Sequence, residues 1–207
     1  MNWKKRSRVG QPSPLPRMLF LALFFLVGVG LGQVLAGRVP DNTGQELTEY
    51  LRHYVMLEDG LSPQTVWSAL VLYLRYPLLA VLLGFSSIGV VLLPCLSAAF
   101  GWSLSFSVCC FTAAFGADGV LLALAVFGLR CAVTLPCYFL LAVPACGTAS
   151  ALAAMSFGRG RRAAPVTYGR AWWQRLGVCS LILLAGMCLD LFVSPWFLRL
   201  ALGRILA

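Results

Sequence analysis

Long uncharged stretches dominate the pattern of hydrophobic and polar positions along the chain. Three of them contain no charged side chain: Met18 to Gly37, Pro77 to Ala117 and Cys131 to Gly158. A fourth, Leu176 to Leu198, is interrupted only by Asp190. A helix of about twenty apolar residues crosses the hydrocarbon core of a bilayer. The pattern therefore predicts an all-α fold, a polytopic bundle of transmembrane helices.

The number of crossings follows from the lengths of these stretches. The run that starts at Pro77 would extend about 60 Å as a helix, twice the thickness of the core, so it must turn back once. Pro94 and the Phe100-Gly101-Trp102 step are both candidate turn sites, and the sequence leaves the choice open. We expect a basic tail at 1–17 and then one membrane domain, 18–207, with about five spans: 18–37, 77–99, 100–116, 120–155 and 176–193.

The block 120–155 is too long for one ordinary span. It contains Arg130 together with Pro136 and Pro144. Charged residues and prolines at lipid depth are tolerated where a helix faces a protein interior or a polar cavity. The block therefore also fits a broken or re-entrant helix within 119–136. Just before it, Ala117-Asp118-Gly119 predicts a turn centred on Asp-Gly.

Polar segments flank these spans. The segment 38–76 is acidic, and its Leu47, Tyr50, Leu51 and Tyr54 recur at helical spacing, which predicts a short amphipathic helix. Ser62-Pro63 offers an N-cap and a first-turn proline for a helix that is expected to lie at the membrane interface before Pro77. Ser194-Pro195-Trp196 has the same character and predicts a separate terminal helix at 194–207.

The charges are distributed in a way that indicates an orientation. The chain is 60% hydrophobic with a formal net charge of +9. Its basic residues concentrate in the tail 1–17 and in a loop at 156–175, and such short basic flanks lie on the cytoplasmic side and meet anionic membrane lipid there. Five crossings place both basic clusters inside, with a cytoplasmic amino terminus and an external carboxyl terminus. Six crossings, with 120–155 split into two spans, would place the basic loop outside. We favour this interpretation over nucleic-acid binding, which we do not expect.

The residues that could carry chemistry are charged or proline residues at lipid depth. They are Arg130, Asp190, Asp118 and Pro136. Arg130 could line a polar pathway or contact a lipid phosphate with Asp190 as its counter-ion. The simpler interpretation, which we favour, is that the two side chains pair and lock the packing of their helices.

Catalytic and metal-binding patterns are missing from the sequence. It contains no H-E-x-x-H, no G-x-S-x-G and no glycine-rich phosphate loop, and none of its eight cysteines forms a C-x-x-C pair. We therefore expect no enzymatic activity, no catalytic residues, no metal, no cofactor and no small-molecule substrate. An intramembrane enzyme acting on lipid-linked substrates is the weakest alternative, because no nucleophile and base are visible.

The first span contains Gly28-Val-Gly-Leu-Gly32, a G-x-x-x-G spacing that lets another helix backbone approach closely. Gly28 and Gly32 are therefore candidates for helix packing or for a partner contact, a second copy of the chain included. Further candidates for partner contacts lie on the surfaces expected outside the membrane. They are Glu46, Glu49, Tyr50, Pro195 and Trp196.

Taken in order, several motifs resemble the stage II sporulation protein M family, polytopic membrane proteins of the engulfment machinery of endospore-forming bacteria. The resemblance rests on four features after the basic tail: Gly28 to Gly32, Leu83-Gly-Phe-Ser-Ser-Ile-Gly89, Asp118-Gly-Val-Leu-Leu122 with Thr134-Leu-Pro136, and Phe192-Val-Ser-Pro-Trp-Phe197. The chain departs from the family at Gly128-Leu-Arg-Cys131, where a proline followed by polar residues is usual, and at Asp118, where an asparagine is expected.

This resemblance implies a function without catalysis. A member of the family is expected to act as a membrane scaffold that recruits and positions two peptidoglycan-degrading partners, stage II sporulation proteins D and P, during engulfment of the forespore. The protein would then lie in the septal or engulfing membrane. A small permease or channel subunit is the alternative, since Arg130, Pro136 and Pro144 all lie in one block.

Overall fold

The computed structural model describes residues 14–38, 63–156 and 169–205, and across them the chain forms helices joined by turns. The all-α class is confirmed. The helices are α1 (Pro14–Ala36), α2 (Pro63–Gly84), α3 (Gly89–Phe115), α4 (Ala117–Ala123), a π-helical turn (Leu124–Gly128), α5 (Leu129–Ser156) and α6 (Arg170–Ile205).

Four stretches of these helices are long and apolar enough to cross a membrane. They are Pro14–Ala36, Gly89–Ala113, Leu129–Ser156 and Trp172–Leu191. A shorter apolar stretch of α2, Ala69–Gly84, accompanies them. The protein is thus a multi-pass membrane protein whose described helices are consistent with about five crossings.

Successive long helices run in opposite directions. Gly89 contacts Ala149 at one end of α3, and the ring of Phe111 contacts that of Phe127 at the other, so α3 and α5 are antiparallel. Gly28 lies beside Ala98 and Gly32 beside Trp102, so α1 and α3 are parallel. The bundle therefore has two distinct ends. We call one of them the Arg17 end; it contains the start of α1, the α2–α3 turn, the end of α5 and the start of α6. We call the other the Gly116 end; it contains the end of α1, the start of α2, the α3–α4 turn and the end of α6.

The long uncharged run turns back at residues 85–88, earlier than expected. The Ile88 amide donates to Ser86 Oγ at 3.3 Å inside this turn. Glycines stand on both sides because the backbone is crowded there: a β-carbon at Gly84 would lie 2.8 Å from that of Ala145, and one at Gly89 would overlap the Leu83 carbonyl oxygen. The predicted division into spans 77–99 and 100–116 is therefore wrong.

Prolines do not end these helices. α3 continues through Pro94 and Gly101, α2 through Pro77, and α6 through Pro195. A proline removes one backbone donor, but in apolar surroundings the other backbone groups have no partners except those of the helix, so the helix persists. The expected interfacial helix before Pro77 and the separate helix at 194–207 are therefore wrong as independent elements.

The second tight turn lies at Gly116, two residues before the predicted Asp-Gly centre. Gly116 has φ 61° and ψ −134°, a conformation that a side chain disfavours, and α4 begins immediately after it. Asp118 and Gly119 are thus helical, which corrects the predicted turn. Gly119 is required by packing, because a β-carbon on it would overlap the Phe111 carbonyl oxygen of α3.

From Ala117 to Ser156 the chain follows one helical path through α4, the π-helical turn and α5. The broken or re-entrant helix expected within 119–136 is therefore not observed: the helix continues through that segment and changes only its winding, at the π-helical turn Leu124–Gly128. Pro136 and Pro144 both lie inside α5.

Phe100 of α3 is the centre of the larger apolar core. Its ring stacks on Tyr76 at 4.4 Å and meets the rings of Phe25 and Tyr138 edge-on at 5.8 and 5.3 Å. These partners come from α2, α1 and α5, so four helices converge on one side chain. The hydroxyls of Tyr138 and Ser97 are 2.7 Å apart and form a hydrogen bond. The Ser97 hydroxyl donates to the Leu93 carbonyl, so the Tyr138 hydroxyl can donate to Ser97, and both buried hydroxyls are satisfied.

Candidate functional site at the Gly116 end

An ion pair joins α5 to α6. The Arg130 Nη2 atom lies 3.3 Å from Asp190 Oδ2. Asp190 is the more deeply placed partner, with 8% of its side chain exposed against 22% for Arg130. The predicted association of these two residues is therefore observed, and it connects two helices that are far apart in sequence.

Tyr73 brings a third helix, α2, to the same place. The Arg130 guanidinium carbon lies 5.3 Å from the centre of the Tyr73 ring, a distance at which a cation is attracted to an aromatic face. The Tyr73 hydroxyl donates to the Gly186 carbonyl of α6 at 3.3 Å. Tyr73 is fully buried. The tyrosine thus supports the cation of α5 with its ring and binds the backbone of α6 with its hydroxyl.

Close approach of α5 and α6 makes the ion pair possible. A β-carbon at Gly186 would lie 2.7 Å from a methyl carbon of Val133. Gly186 is one helical turn before Asp190, and Val133 is nearly one turn after Arg130, so the tight contact sits beside the pair. The glycine lets the two backbones approach, and the charged side chains meet at the edge of that contact.

Three buried polar atoms in this cluster have no hydrogen-bond partner among the described residues. They are Arg130 Nε, Asp190 Oδ1 and Thr134 Oγ1. Thr134 is one turn after Arg130 on α5 and is 3% exposed. We call Tyr73, Arg130, Thr134 and Asp190 the polar cluster. Its formal charge is zero, and it keeps unused donors and acceptors in a buried place.

The polar cluster lies towards the Gly116 end of the bundle. Arg130 is the second residue of α5, Asp190 lies in the second half of α6 and Tyr73 lies in the first half of α2. Since helix directions alternate, these positions lie at a similar level. Uncharged sequence continues beyond both charges, at 119–129 before Arg130 and at 191–198 after Asp190, so the ion pair lies within apolar sequence.

The remaining predicted site residues do not join this cluster. Pro136 is exposed on α5. Asp118 lies in the first turn of α4, and Pro195 and Trp196 lie within α6, with their side chains outside the described part. Glu46, Glu49 and Tyr50 fall outside the described residues.

Gly28 and Gly32 pack against another helix of the same chain. Both are buried against α3, where a β-carbon at Gly32 would lie 2.8 Å from the Trp102 carbonyl oxygen and one at Gly28 would overlap that of Ala98. The G-x-x-x-G face of α1 is therefore occupied by α3, and this face is not available to a partner.

Two members of the polar cluster were not singled out as site residues from the sequence. Thr134 could have been found, because it follows Arg130 by four residues and so shares its helix face. Tyr73 carries no such signal, since its role depends on how α2 packs against α5 and α6.

Within 14–38, 63–156 and 169–205, no three His, Cys, Asp or Glu side chains gather in a group that could hold a metal ion. The cysteines of these residues are all free thiols. The polar cluster can form hydrogen bonds with a further group. Arg130 supplies donors, Asp190 supplies acceptors, and the Thr134 hydroxyl can either donate or accept.

Comparisons with known proteins return no match: no family model, no curated protein and no solved structure is significantly similar to this chain.

Proposed function

We propose that this protein is a non-enzymatic membrane scaffold that positions peptidoglycan-degrading partners, and that it acts in forespore engulfment as its resemblance to the stage II sporulation protein M family implies. The observation that carries the proposal is the role of the resembling motifs. Gly28 and Gly32 seat α1 on α3, and Gly84 and Gly89 close the α2–α3 turn against α5. The residues of the resemblance are thus residues that fix the architecture.

A filled interior favours a scaffold over a conduit. Aromatic side chains of four helices meet around Phe100, and the buried hydroxyls of Tyr138 and Ser97 bond to each other there. Glycine contacts bring the α1 and α3 backbones together at three places, which are Gly28, Gly32 and Gly101. A bundle interlocked in this way holds the segments at its ends at fixed positions, as positioning of partners requires.

The charges support an orientation for this scaffold. Arg17, Arg170 and Arg175 belong to the Arg17 end, and the basic sequences 1–13 and 157–168 connect to that end. By the positive-inside rule the Arg17 end is cytoplasmic. The acidic sequence 39–62, the start of α4 and the end of α6 are then on the outer side, where wall-degrading partners act. Accessibility tests this directly: an impermeant maleimide should modify Gly60→Cys in intact cells and spare Pro165→Cys.

The expected partners are stage II sporulation proteins D and P, and the expected contacts are Glu46, Glu49 and Tyr50, with Pro195 and Trp196. Co-purification from sporulating cells in mild detergent should recover both wall-degrading proteins with the wild-type chain. The paired variant Glu46→Lys/Glu49→Lys should lose most of this recovery, while Glu58→Lys/Asp59→Lys, a change of the same charge in the same segment, should retain it. Membrane levels of each variant are measured in parallel.

The genetic test is deletion in a strain that lacks any paralogue. Engulfment should stop, and it should be restored by the wild-type chain. Normal engulfment in the deletion strain would end the proposal, as would recovery of neither partner from cells that are engulfing.

A small permease or channel subunit is the second candidate, and the unpartnered atoms of Arg130, Thr134 and Asp190 favour it. Buried polar groups and a π-helical turn are frequent where polar species pass. Flux assays in liposomes distinguish the two. A flux that is abolished by Arg130→Ala, in a variant that still supports engulfment, would favour the permease over the scaffold.

A further inference from the structure

The polar cluster contains more hydrogen-bonding capacity than its own members use. Arg130 Nε is a donor, Asp190 Oδ1 is an acceptor and Thr134 Oγ1 is both, and all three are buried without a partner among residues 14–38, 63–156 and 169–205. An unsatisfied buried polar atom is destabilising, because it has lost its bonds to water and gained none in their place. Three such atoms beside one ion pair are able to share a common hydrogen-bonding partner.

One backbone group adds to this capacity. Pro77 has no N–H, so the Tyr73 carbonyl lacks the helical donor that residue 77 would normally supply. Tyr73 and Pro77 are both buried, so the acceptor that the proline releases lies on the inner face of α2.

The charges define the chemistry of the partner. Arg130 and Asp190 neutralise each other. A cation placed among these atoms would face the guanidinium, and an anion would face the carboxylate, so either would be repelled by one member of the pair. A neutral molecule that donates and accepts hydrogen bonds meets no such repulsion. Because the three atoms are buried, the molecule must also be small.

We propose that the polar cluster is an internal hydration site, in which ordered water bridges Arg130 Nε, Thr134 Oγ1 and Asp190 Oδ1 between helices α2, α5 and α6. Buried waters commonly make about three hydrogen bonds to groups that are otherwise unsatisfied. Arg130, the most exposed member, is where this water exchanges with the outside. The site is part of how the three helices are held together, whichever function the bundle serves.

Hydroxyl-radical labelling by synchrotron radiolysis, with a bulk radical scavenger present, tests the site because ordered water generates radicals in place. Tyr73 and Tyr138 form a matched pair: both are 0% exposed and both lie in apolar helices, but Tyr138 lies in the aromatic core. In the purified wild-type protein, Tyr73 should be labelled several-fold faster than Tyr138. The variant Thr134→Val, which removes one partner of the water, should lose most of this excess.

Stability gives a second, independent readout. If water satisfies Thr134, then Thr134→Val lowers the midpoint of unfolding and Thr134→Ser restores it. The control is Thr112→Val, whose hydroxyl donates only to its own helix at Val108, 2.9 Å away, and which should shift the midpoint little. Equal labelling of Tyr73 and Tyr138, or a Thr134→Val variant at least as stable as wild type, overturns the proposal.

Discussion

Gly28 of α1 and Ala98 of α3 lie so close together that a β-carbon on the glycine would overlap the alanine carbonyl oxygen. Because this oxygen belongs to the backbone of a helix, it cannot move aside without moving α3. Contacts of this kind are how helices associate in lipid, where apolar side chains gain little by meeting each other rather than the acyl chains.

Gly28→Ala should therefore loosen α1 from α3 and destabilise the bundle by about 1–3 kcal/mol, the usual cost of overpacking. The control is Gly30→Ala on the same helix, since a β-carbon at Gly30 meets nothing within 4 Å. SDS-induced unfolding in mixed micelles measures both. Equal effects of the two substitutions would show that α1 does not pack on α3 through this face.

The ion pair predicts an asymmetric mutant cycle. Arg130→Met leaves the carboxylate of Asp190 buried without its counter-charge, and should cost about 3–5 kcal/mol. Asp190→Leu should cost less, because 22% of the Arg130 side chain is exposed and the guanidinium can reach water or headgroups. The double variant should recover most of the loss.

The same unfolding assay measures all three variants of this cycle. Additive losses would mean that the two side chains do not interact in the folded protein.

Gly116 predicts a backbone effect. With φ at 61° the residue has a conformation that a side chain strains, so Gly116→Ala should destabilise the protein by about 1–3 kcal/mol. Gly177→Ala, at an exposed position of α6 where a β-carbon meets nothing within 4 Å, should be neutral or slightly stabilising. Thermal unfolding followed by tryptophan fluorescence compares them. A neutral Gly116→Ala would place the α3–α4 turn elsewhere.

Thr148 predicts a side-chain effect at the opposite end. Its hydroxyl lies 2.9 Å both from the carbonyl oxygen of Gly84, the last residue of α2, and from that of Ala145 in α5, so its one proton is shared between a helix terminus and its own helix. Thr148→Val should cost about 1 kcal/mol, and Thr148→Ser should cost less. Thr112→Val serves as the control in the same assay, and a loss there as large as at Thr148 would contradict the proposed cap.

Much of the architecture was predictable because a lipid environment restricts which backbone structures can form. The uncharged runs correctly identified the membrane helices around Met18–Gly37, Cys131–Gly158 and Leu176–Leu198, since only a helix satisfies its own backbone in hydrocarbon. Arg130 and Asp190 could be paired from the sequence, because they are charged residues of opposite sign within apolar stretches.

The position of the first turn could not be predicted for a related reason. Pro94 and Gly101 look like helix breakers by the standards of aqueous proteins, but α3 continues through both. The actual turn, at 85–88, is marked by serines between two glycines whose importance depends on Leu83 and Ala145 as neighbours. Tertiary contacts of that kind are invisible in a single sequence, and so is the convergence of Tyr73 on the ion pair.

Arg130 and Asp190 stand within apolar sequence on two helices that are synthesised one after the other, and this has a consequence for biogenesis. A lone charge at lipid depth is costly, so α5 on its own enters the bilayer with an uncompensated guanidinium. The counter-charge arrives only when α6 has been synthesised. Pairing of the two side chains therefore belongs to membrane integration itself, and α5 depends on a later segment of the chain for its final stability in the bilayer.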